Sequence, residues 1–358
     1  MRVMVAAGGS GGHVFPALAV LEELRAQEGL SAAGWIGKPD GLEQKVLEKR
    51  PWITFFPIPS RGLPRGEPWR WPAALAHDAH ALVRARRLLA AFRPHVLLAM
   101  GGYPAVAPAL AAKLLGIPVA IHEQNAKMGL ANRLLARLAD AVLLTFPQTS
   151  GCPRGAKTRV TGNPVRREIT AVPKELGEEL LVLGGSLGSR RLVEAVIQAA
   201  PELARIPGLR LRVVVGRAGD PKGVEEALRR AGVEAQALAF TERMDELLGR
   251  ARLVLARAGA STLAELACAG RPALLVPWEG AADGHQARNA AYFAACGAAV
   301  LVREKELPAR LAALVGELWP DGAALERMAA AARALARPEA ARAVAQTLRE
   351  LGQRKEGL

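Results

Sequence analysis

Gly8-Gly9-Ser10-Gly11-Gly12-His13 and Gly184-Gly185-Ser186-Leu187-Gly188-Ser189 are two glycine-rich turns of one build, half a chain apart. Each follows a short apolar run (Val3 to Ala7, Leu180 to Leu183) and opens a helical pattern (Val14 to Leu24, Leu192 to Ala200). Strand, tight turn and helix in that order aim backbone N–H groups and a helix N-terminus at one point, which suits an anion such as phosphate. Glycine is also what any tight βα turn needs, so one such turn says little. Two in matching positions imply two α/β domains facing each other across a cleft. A third turn, Arg257-Ala258-Gly259-Ala260-Ser261-Thr262, offers N–H groups at Ala260, Ser261 and Thr262, and Glu265 lies one turn further along the same helix face. Arg166 supplies a cation just past Gly162-Asn163-Pro164. His13 is the one histidine in a glycine turn, and an imidazole titrating near neutrality suits proton removal. Each has a plainer alternative: a solvated helix residue for Glu265, a linker ion pair for Arg166, a cap or loop hydrogen bond for His13.

Dinucleotide binding is disfavoured. The G-x-G-x-x-G pattern fails in both turns, and Gly34-Trp35-Ile36-Gly37-Lys38 lacks the acidic residue that would hold an adenosine ribose. No D-x-D triplet occurs among the seven Asp residues and no His/Asp cluster has metal spacing, so neither a cofactor nor an obligatory metal is expected. Three scattered cysteines (Cys152, Cys268, Cys296) form no CxxC, which fits a reducing cytosol better than a disulfide framework.

These residues need elements to hold them. A chain of 358 residues, 51% hydrophobic, is long enough for two cores. Short apolar runs alternate with Ala- and Leu-rich helical stretches. Strands are expected at residues 2–6, 33–36, 53–58, 96–100, 118–121, 141–144 and 159–161, then at 179–183, 210–215, 234–237, 253–256, 272–276 and 298–302. Strands separated by helices imply right-handed βαβ units and parallel sheets. Pro164 biases Asn163 away from helix and marks the boundary. The fold class is therefore α/β, with two Rossmann-like parallel-sheet domains. One spans residues 1–162 and takes back a terminal helix within 339–358 that follows Pro338; the other spans 163–338. Met1-Arg2 leads straight into a core strand, so no signal peptide is expected, and no run of about 18 apolar residues would span a membrane.

The net charge of +14 comes from 48 basic and 34 acidic residues, with Arg far ahead of Lys. It reflects either a GC-rich or thermophilic composition or an anionic partner. Nucleic acid is disfavoured, because aromatics make up only 4% and no recognised binding motif occurs.

The series GGSGGHVFPA (8–17), MGGY (100–103), HEQNAKMGLAN (122–132), GNPVR (162–166), GGSLG (184–188), RAGASTLAE (257–265) and DGHQARNA (283–290) resembles, in order and over most of the chain, the MurG family of bacterial cell-wall glycosyltransferases. The resemblance implies the GT-B architecture with an interdomain active site. It also implies transfer of N-acetylglucosamine from UDP-N-acetylglucosamine to undecaprenyl-diphospho-muramoyl-pentapeptide, converting lipid I to lipid II. On the donor side it implies Ser10, Gly11, Gly12, Asn125, Arg166, Ser186, the backbone of Thr241, the run Ala260, Ser261, Thr262, Leu263, Ala264 and Glu265, and Gln286, with Asn289 a weaker choice. Glu265 would accept the ribose hydroxyls and Arg166 would neutralise the leaving diphosphate. Tyr103 and Asn132 would bind the acceptor. His13 is the leading general base for the muramoyl 4-hydroxyl, and Glu123 competes for that role. Ser10 replaces the family's Thr, Leu187 its Gln and Val193 its Asn, and Pro104-Ala105-Val106-Ala107 is less glycine-rich than usual. Other readings are another UDP-sugar enzyme of this fold (a glycolipid glucosyltransferase or a UDP-N-acetylglucosamine 2-epimerase) and a non-catalytic nucleotide-sugar or lipid-docking subunit.

A polyprenyl-linked acceptor with no membrane span implies peripheral docking on anionic phospholipid of the inner leaflet. Trp69 and Trp71 precede residues 73–92, which carry Leu75, Leu82, Val83, Leu89 and Phe92 among Arg84, Arg86 and Arg87. The alternative is an ordinary domain helix with its apolar face in the core.

Overall fold

The computed structural model describes residues 1–59, 71–185 and 188–356. The chain divides into two compact units, Met1–Pro164 with Glu339–Leu358, and Val165–Pro338. The first holds a sheet of seven strands: β1 Arg2–Ala6, β2 Ala32–Gly37, β3 Ile53–Pro57, β4 Val96–Ala99, β5 Val119–Glu123, β6 Ala141–Leu144 and β7 Thr158–Val160. The second holds six: β8 Glu179–Leu183, β9 Arg210–Val214, β10 Glu234–Leu238, β11 Ala251–Ala256, β12 Ala273–Leu275 and β13 Ala299–Leu301. Their orders are β3-β2-β1-β4-β5-β6-β7 and β10-β9-β8-β11-β12-β13, and every pair is parallel.

In both sheets the strand order reverses beside the strand that opens the unit, β1 next to β4 and β8 next to β11. Open α/β sheets bind ligands outside the carboxyl ends of strands at such a reversal. Both glycine turns are there: Gly8-Gly9 leaves β1 and Gly184-Gly185 leaves β8, opposite Gly101-Gly102 after β4 and Arg257 to Gly259 after β11.

Alternation along β1 shows how the first unit is layered. Val3 and Val5 pack on the helix Gly11–Ala26 and on Val344, Ala345, Leu348 and Leu351 of the terminal helix Ala340–Glu356. Met4 and Ala6 pack on the other layer, with Ala81, Ala85 and Leu89 of the helix Trp71–Phe92. Both faces are covered, so the strands read as unbroken apolar runs. Each large side chain the terminal helix buries contributes about 1.5–3 kcal/mol, which makes it part of this core. Trp35 of β2, fully buried, donates its indole N–H to Ala7 O at 2.9 Å and fastens the end of β1 where the glycine turn begins.

Candidate active site

In the first unit, Gly9 takes φ +87°, a conformation that favours glycine, and turns the chain from β1 into the helix capped by Ser10. The Ser10 side chain makes no capping hydrogen bond, and Gly11, Gly12 and His13 form the first helical turn. His13 Nδ1 lies 3.2 Å from Gly8 O. A Cβ built on Gly102 would stand 3.5 Å from His13 Cε1, so this position after β4 leaves room for the imidazole. Tyr103 follows, with 44% of its surface exposed. The expectation that the amides of this turn would cradle an anion needs one correction, because the N–H of Gly9 donates to the buried carboxylate of Glu43.

At the end of β5, Glu123 is buried and saturated. Its Oε1 accepts from Asn125 N at 3.0 Å and Asn125 Nδ2 at 3.3 Å; its Oε2 accepts from Gly129 N at 3.0 Å and Asn132 Nδ2 at 2.9 Å. A carboxylate so enclosed organises the 123–132 loop. Asn132 is likewise buried, with Nδ2 also donating to His122 O at 3.0 Å, so it supports the loop from inside. Asn125 is half-buried on the same loop.

His122 beneath this loop is fully buried, its Nε2 3.0 Å from Gly162 O and its Nδ1 3.1 Å from Gln124 Nε2. The carbonyl fixes the tautomer, with Nε2–H donating and Nδ1 accepting. Burial pushes the imidazole down to about 4, the Gly162 hydrogen bond opposing this and the charge of His13 adding to it. The unfolded chain protonates this residue below about pH 6.5 while the folded chain keeps it neutral to about 4. Its contribution is therefore full above pH 6.5 and is lost as pH falls through that window, by about 2 kcal/mol between pH 7 and 5. Urea unfolding of the wild type should show this loss in excess of that of His122→Gln; identical pH dependence in the two would contradict the assignment.

In the second unit, Gly184 packs so tightly on Ser189 N that a side chain there would collide with it. Ser189 caps the helix Arg190–Leu203 by accepting from Leu192 N, and Arg257 donates to the Ser189 hydroxyl at 2.8 and 3.2 Å. The buried Arg257 also donates to Val276 O at 3.2 Å and pairs with Glu304. Burial would raise the Glu304 carboxyl, but hydrogen bonds and charge from Arg257 and Arg191 outweigh it and hold it low. Arg257, which the sequence reading left without a role, thus ties together the turns after β8, β11 and β12. Ser186 lies outside the described residues.

The helix Ala260–Ala269 starts from Gly259, which has no side chain to cap it. Helix-start amides lack intrahelical partners, so Ala260, Ser261 and Thr262 form an anion-competent end. Leu263 has its side chain in the core and its N–H on Gly259 O at 3.0 Å. Ala264 is half-buried. Glu265 and Arg166, expected to act on different parts of a ligand, form one half-buried ion pair, with Arg166 Nη2 3.4 Å from Glu265 Oε1. Arg166 Nη1 also donates to Glu242 O at 2.6 Å, linking this helix to the loop of Thr241. Burial raises the Glu265 carboxyl and Arg166 opposes the rise. Thr241 Oγ1 accepts from Arg243 N at 2.9 Å, and Arg217 stacks over the adjacent Phe240 ring at 4.2 Å. Gln286 Oε1 accepts from Trp278 N at 2.9 Å, whereas the buried Asn289 donates to Ala258 O at 3.2 Å as a brace.

The helix Trp71–Phe92 turns Leu82, Leu89 and Phe92, expected on a docking face, toward the core and leaves its arginines outside. Leu89 is in the core, and Leu82 and Phe92 pack against it; Val83, Arg84, Arg86 and Arg87 are exposed. Trp69 and the side chains of Trp71 and Leu75 lie outside the described residues.

Residues 3–144 match the glycosyltransferase family 28 N-terminal domain and residues 179–346 its C-terminal domain. The chain is 41% identical to the UDP-N-acetylglucosamine--N-acetylmuramyl-(pentapeptide) pyrophosphoryl-undecaprenol N-acetylglucosamine transferase of Nitratidesulfovibrio vulgaris, over 98% of this chain and 97% of the relative. It is 44% identical to the protein of that name from Alkalilimnicola ehrlichii, over 96% and 97%. The crystal structure of MurG from Acinetobacter baumannii superposes with a TM-score of 0.77 at 32% identity, covering 98% of this chain and 99% of that one.

Proposed function

The chain belongs to the MurG glycosyltransferases of family 28, and from that premise we propose that its two units divide one reaction between them. It is a hexosyltransferase of peptidoglycan synthesis. It transfers N-acetylglucosamine from UDP-N-acetylglucosamine to polyprenyl-diphosphate-linked muramoyl-pentapeptide, lipid I becoming lipid II. The observation that carries the reading is an alignment with transferases so named along nearly the whole chain.

The second unit takes the donor. Amides at Ala260 and Thr262, with the Ser261 hydroxyl, receive the diphosphate at the helix N-terminus, Arg166 adds a positive charge, and Glu265 accepts the ribose hydroxyls. The backbone around Thr241 reads the base, the Arg217–Phe240 stack lies alongside, and Gln286 holds sugar hydroxyls through its amide nitrogen. In the first unit, Tyr103 meets the acceptor, and Ser10, Gly11, Gly12 and Asn125 offer polar groups to the donor. His13 Nε2 takes the proton from the acceptor hydroxyl as that oxygen attacks the anomeric carbon. The bond to the diphosphate breaks on the opposite face, its electron pair leaves with UDP, and the configuration inverts. Helix amides and Arg166 stabilise the leaving charge, so the step needs no metal.

A test supplies the full chain with UDP-N-acetylglucosamine and a short-polyprenyl muramoyl-pentapeptide diphosphate. UDP should be released only when both are present. Release from donor alone, or conversion of the donor to its C2 epimer, would contradict the reading.

No helix among the described residues is long and apolar enough to cross a membrane. The protein docks peripherally, on the anionic cytoplasmic leaflet, in the proposed account. Leu130, Leu134 and Leu138, spaced four apart, are exposed beside exposed Arg133 and Arg137, and Leu114 of the neighbouring helix is 67% exposed. Arg84, Arg86 and Arg87 add positive charge on the next helix, each worth about 1 kcal/mol near an anionic surface. Changing these three to Glu should abolish co-sedimentation with phosphatidylglycerol vesicles at low salt; unchanged binding would remove that helix from the docking surface.

A further inference from the structure

Among the described residues, one fully buried carboxylate is left without a task by the steps above. Glu43 lies on the short helix Leu42–Leu47. Its Oε1 accepts from Lys38 N at 2.8 Å and its Oε2 from Gly9 N at 3.4 Å. Glycines clear the space around it: a Cβ on Gly8 would collide with the carboxylate, one on Gly41 would stand 2.6 Å from it, and one on Gly37 2.7 Å from Glu43 Cγ. A carboxylate buried at such cost, with two amides directed at it, occupies a built seat.

Which amide it holds is the informative point. The N–H of Gly9 and the C=O of Gly8 belong to one planar peptide group. That Gly8 oxygen lies 3.2 Å from His13 Nδ1. A carbonyl only accepts, so this contact requires the proton on Nδ1 and leaves the lone pair on Nε2.

We infer that Glu43 is a positioning residue that acts on His13 through the Gly8–Gly9 peptide, fixing the Nδ1–H tautomer and strengthening Nε2 as proton acceptor. The inference rests on His13 being the base, as proposed above. Negative charge at the N–H end polarises the amide, and hydrogen-bonded chains reinforce one another in this way. When Nε2 takes the acceptor's proton, the imidazolium Nδ1–H already faces an oxygen enriched in charge. Glu43 itself takes no proton: one proton moves from hydroxyl to Nε2, and Nδ1 keeps its own. The arrangement does what a carboxylate in direct contact with a catalytic histidine does, with a peptide group interposed.

Among the described residues, Glu43 and His122 bear on His13. Glu43 reaches it through the peptide, and His122 on β5 interacts with it by charge. The first turn of the helix Gly11–Ala26 carries no acidic residue, and on the β4 side Gly102 approaches, followed by Tyr103. His122 stays neutral down to about pH 4, so it does not itself titrate between pH 5 and 7.

Glu43→Gln in the full chain keeps the size of the side chain and removes its charge. The expected result is a fall in kcat of about tenfold or more, donor KM within about twofold, and an acid limb of the kcat profile moved down by about half a pH unit or more. In a His13→Ala background the same change should cost nothing further, and Glu43→Asp should recover part of the rate. Wild-type kcat in Glu43→Gln, or a lower kcat with the acid limb in place, would overturn the inference. A His13→Ala enzyme that keeps more than about half of kcat would instead overturn the base assignment, a separate result. If Glu43→Gln does not fold, ¹⁵N NMR of histidine-labelled wild type decides. The Nδ1–H tautomer at His13 is expected, and the Nε2–H tautomer would overturn the inference.

Discussion

His13→Ala is expected to lower kcat by about 10²–10⁴-fold while leaving the calorimetric Kd for UDP-N-acetylglucosamine within about twofold. The split follows from where the residue sits. His13 is in the first turn of a helix in the first unit, its Nδ1 directed at Gly8 O, so the nitrogen left to react is Nε2. The groups assigned to the nucleotide, Arg166, Thr241, Ala260 to Thr262 and Glu265, all belong to the second unit. A base removed from the acceptor side lowers the rate of the step without touching nucleotide affinity. A large loss of donor affinity in this variant, or retention of more than about half of kcat, would place the base elsewhere.

Arg166→Ala is expected to lower kcat/KM by about 10²–10³-fold, the scale for removing one preorganised group that stabilises developing charge. Two losses combine. The leaving diphosphate loses a cation, and Glu265 loses the partner that opposes the upward push of burial on its carboxyl. The sign of the second effect is fixed. In the proposed donor complex the ribose hydroxyls donate to the ionised carboxylate, so donor binding should weaken as pH falls through the Glu265 titration, and without Arg166 that titration lies higher. Calorimetry from pH 5 to 8 should therefore show affinity lost at higher pH in Arg166→Ala than in wild type. Glu265→Ala should weaken binding by about 1–3 kcal/mol and abolish this pH dependence. Equal pH dependence in wild type and Arg166→Ala would contradict the coupling.

Much of the scaffold was legible in the chain because its information is local. All thirteen strands among the described residues fall where short apolar runs meet turn residues, within one or two positions of the expected bounds. Both glycine turns leave the strand at which sheet order reverses, and that placement follows once strands and helices alternate. What escaped is what depends on distant residues meeting. Glu123 has the right type for a base, but only the fold shows four donors converging on it. Asn132 and Leu263 belong to recognisable motifs yet face inward, since a motif does not say which of its members face a ligand. Glu43 meets Gly9 across 34 positions, and Arg257 meets Glu304 across 47, with no sequence period to announce either. The one available signal for Glu43 was local, an acid beside Gly37 and Gly41, where small residues leave room for something larger.

The central claim is a single displacement at the anomeric carbon, driven by a histidine on the acceptor side. The configuration of the product tests it most directly. Full-length enzyme, UDP-N-acetylglucosamine and the short-polyprenyl muramoyl acceptor should yield a disaccharide whose anomeric proton shows the β configuration by NMR, linked to the muramoyl 4-oxygen, with the α configuration of the donor inverted. An α-linked product, or attachment at another hydroxyl, would contradict the account.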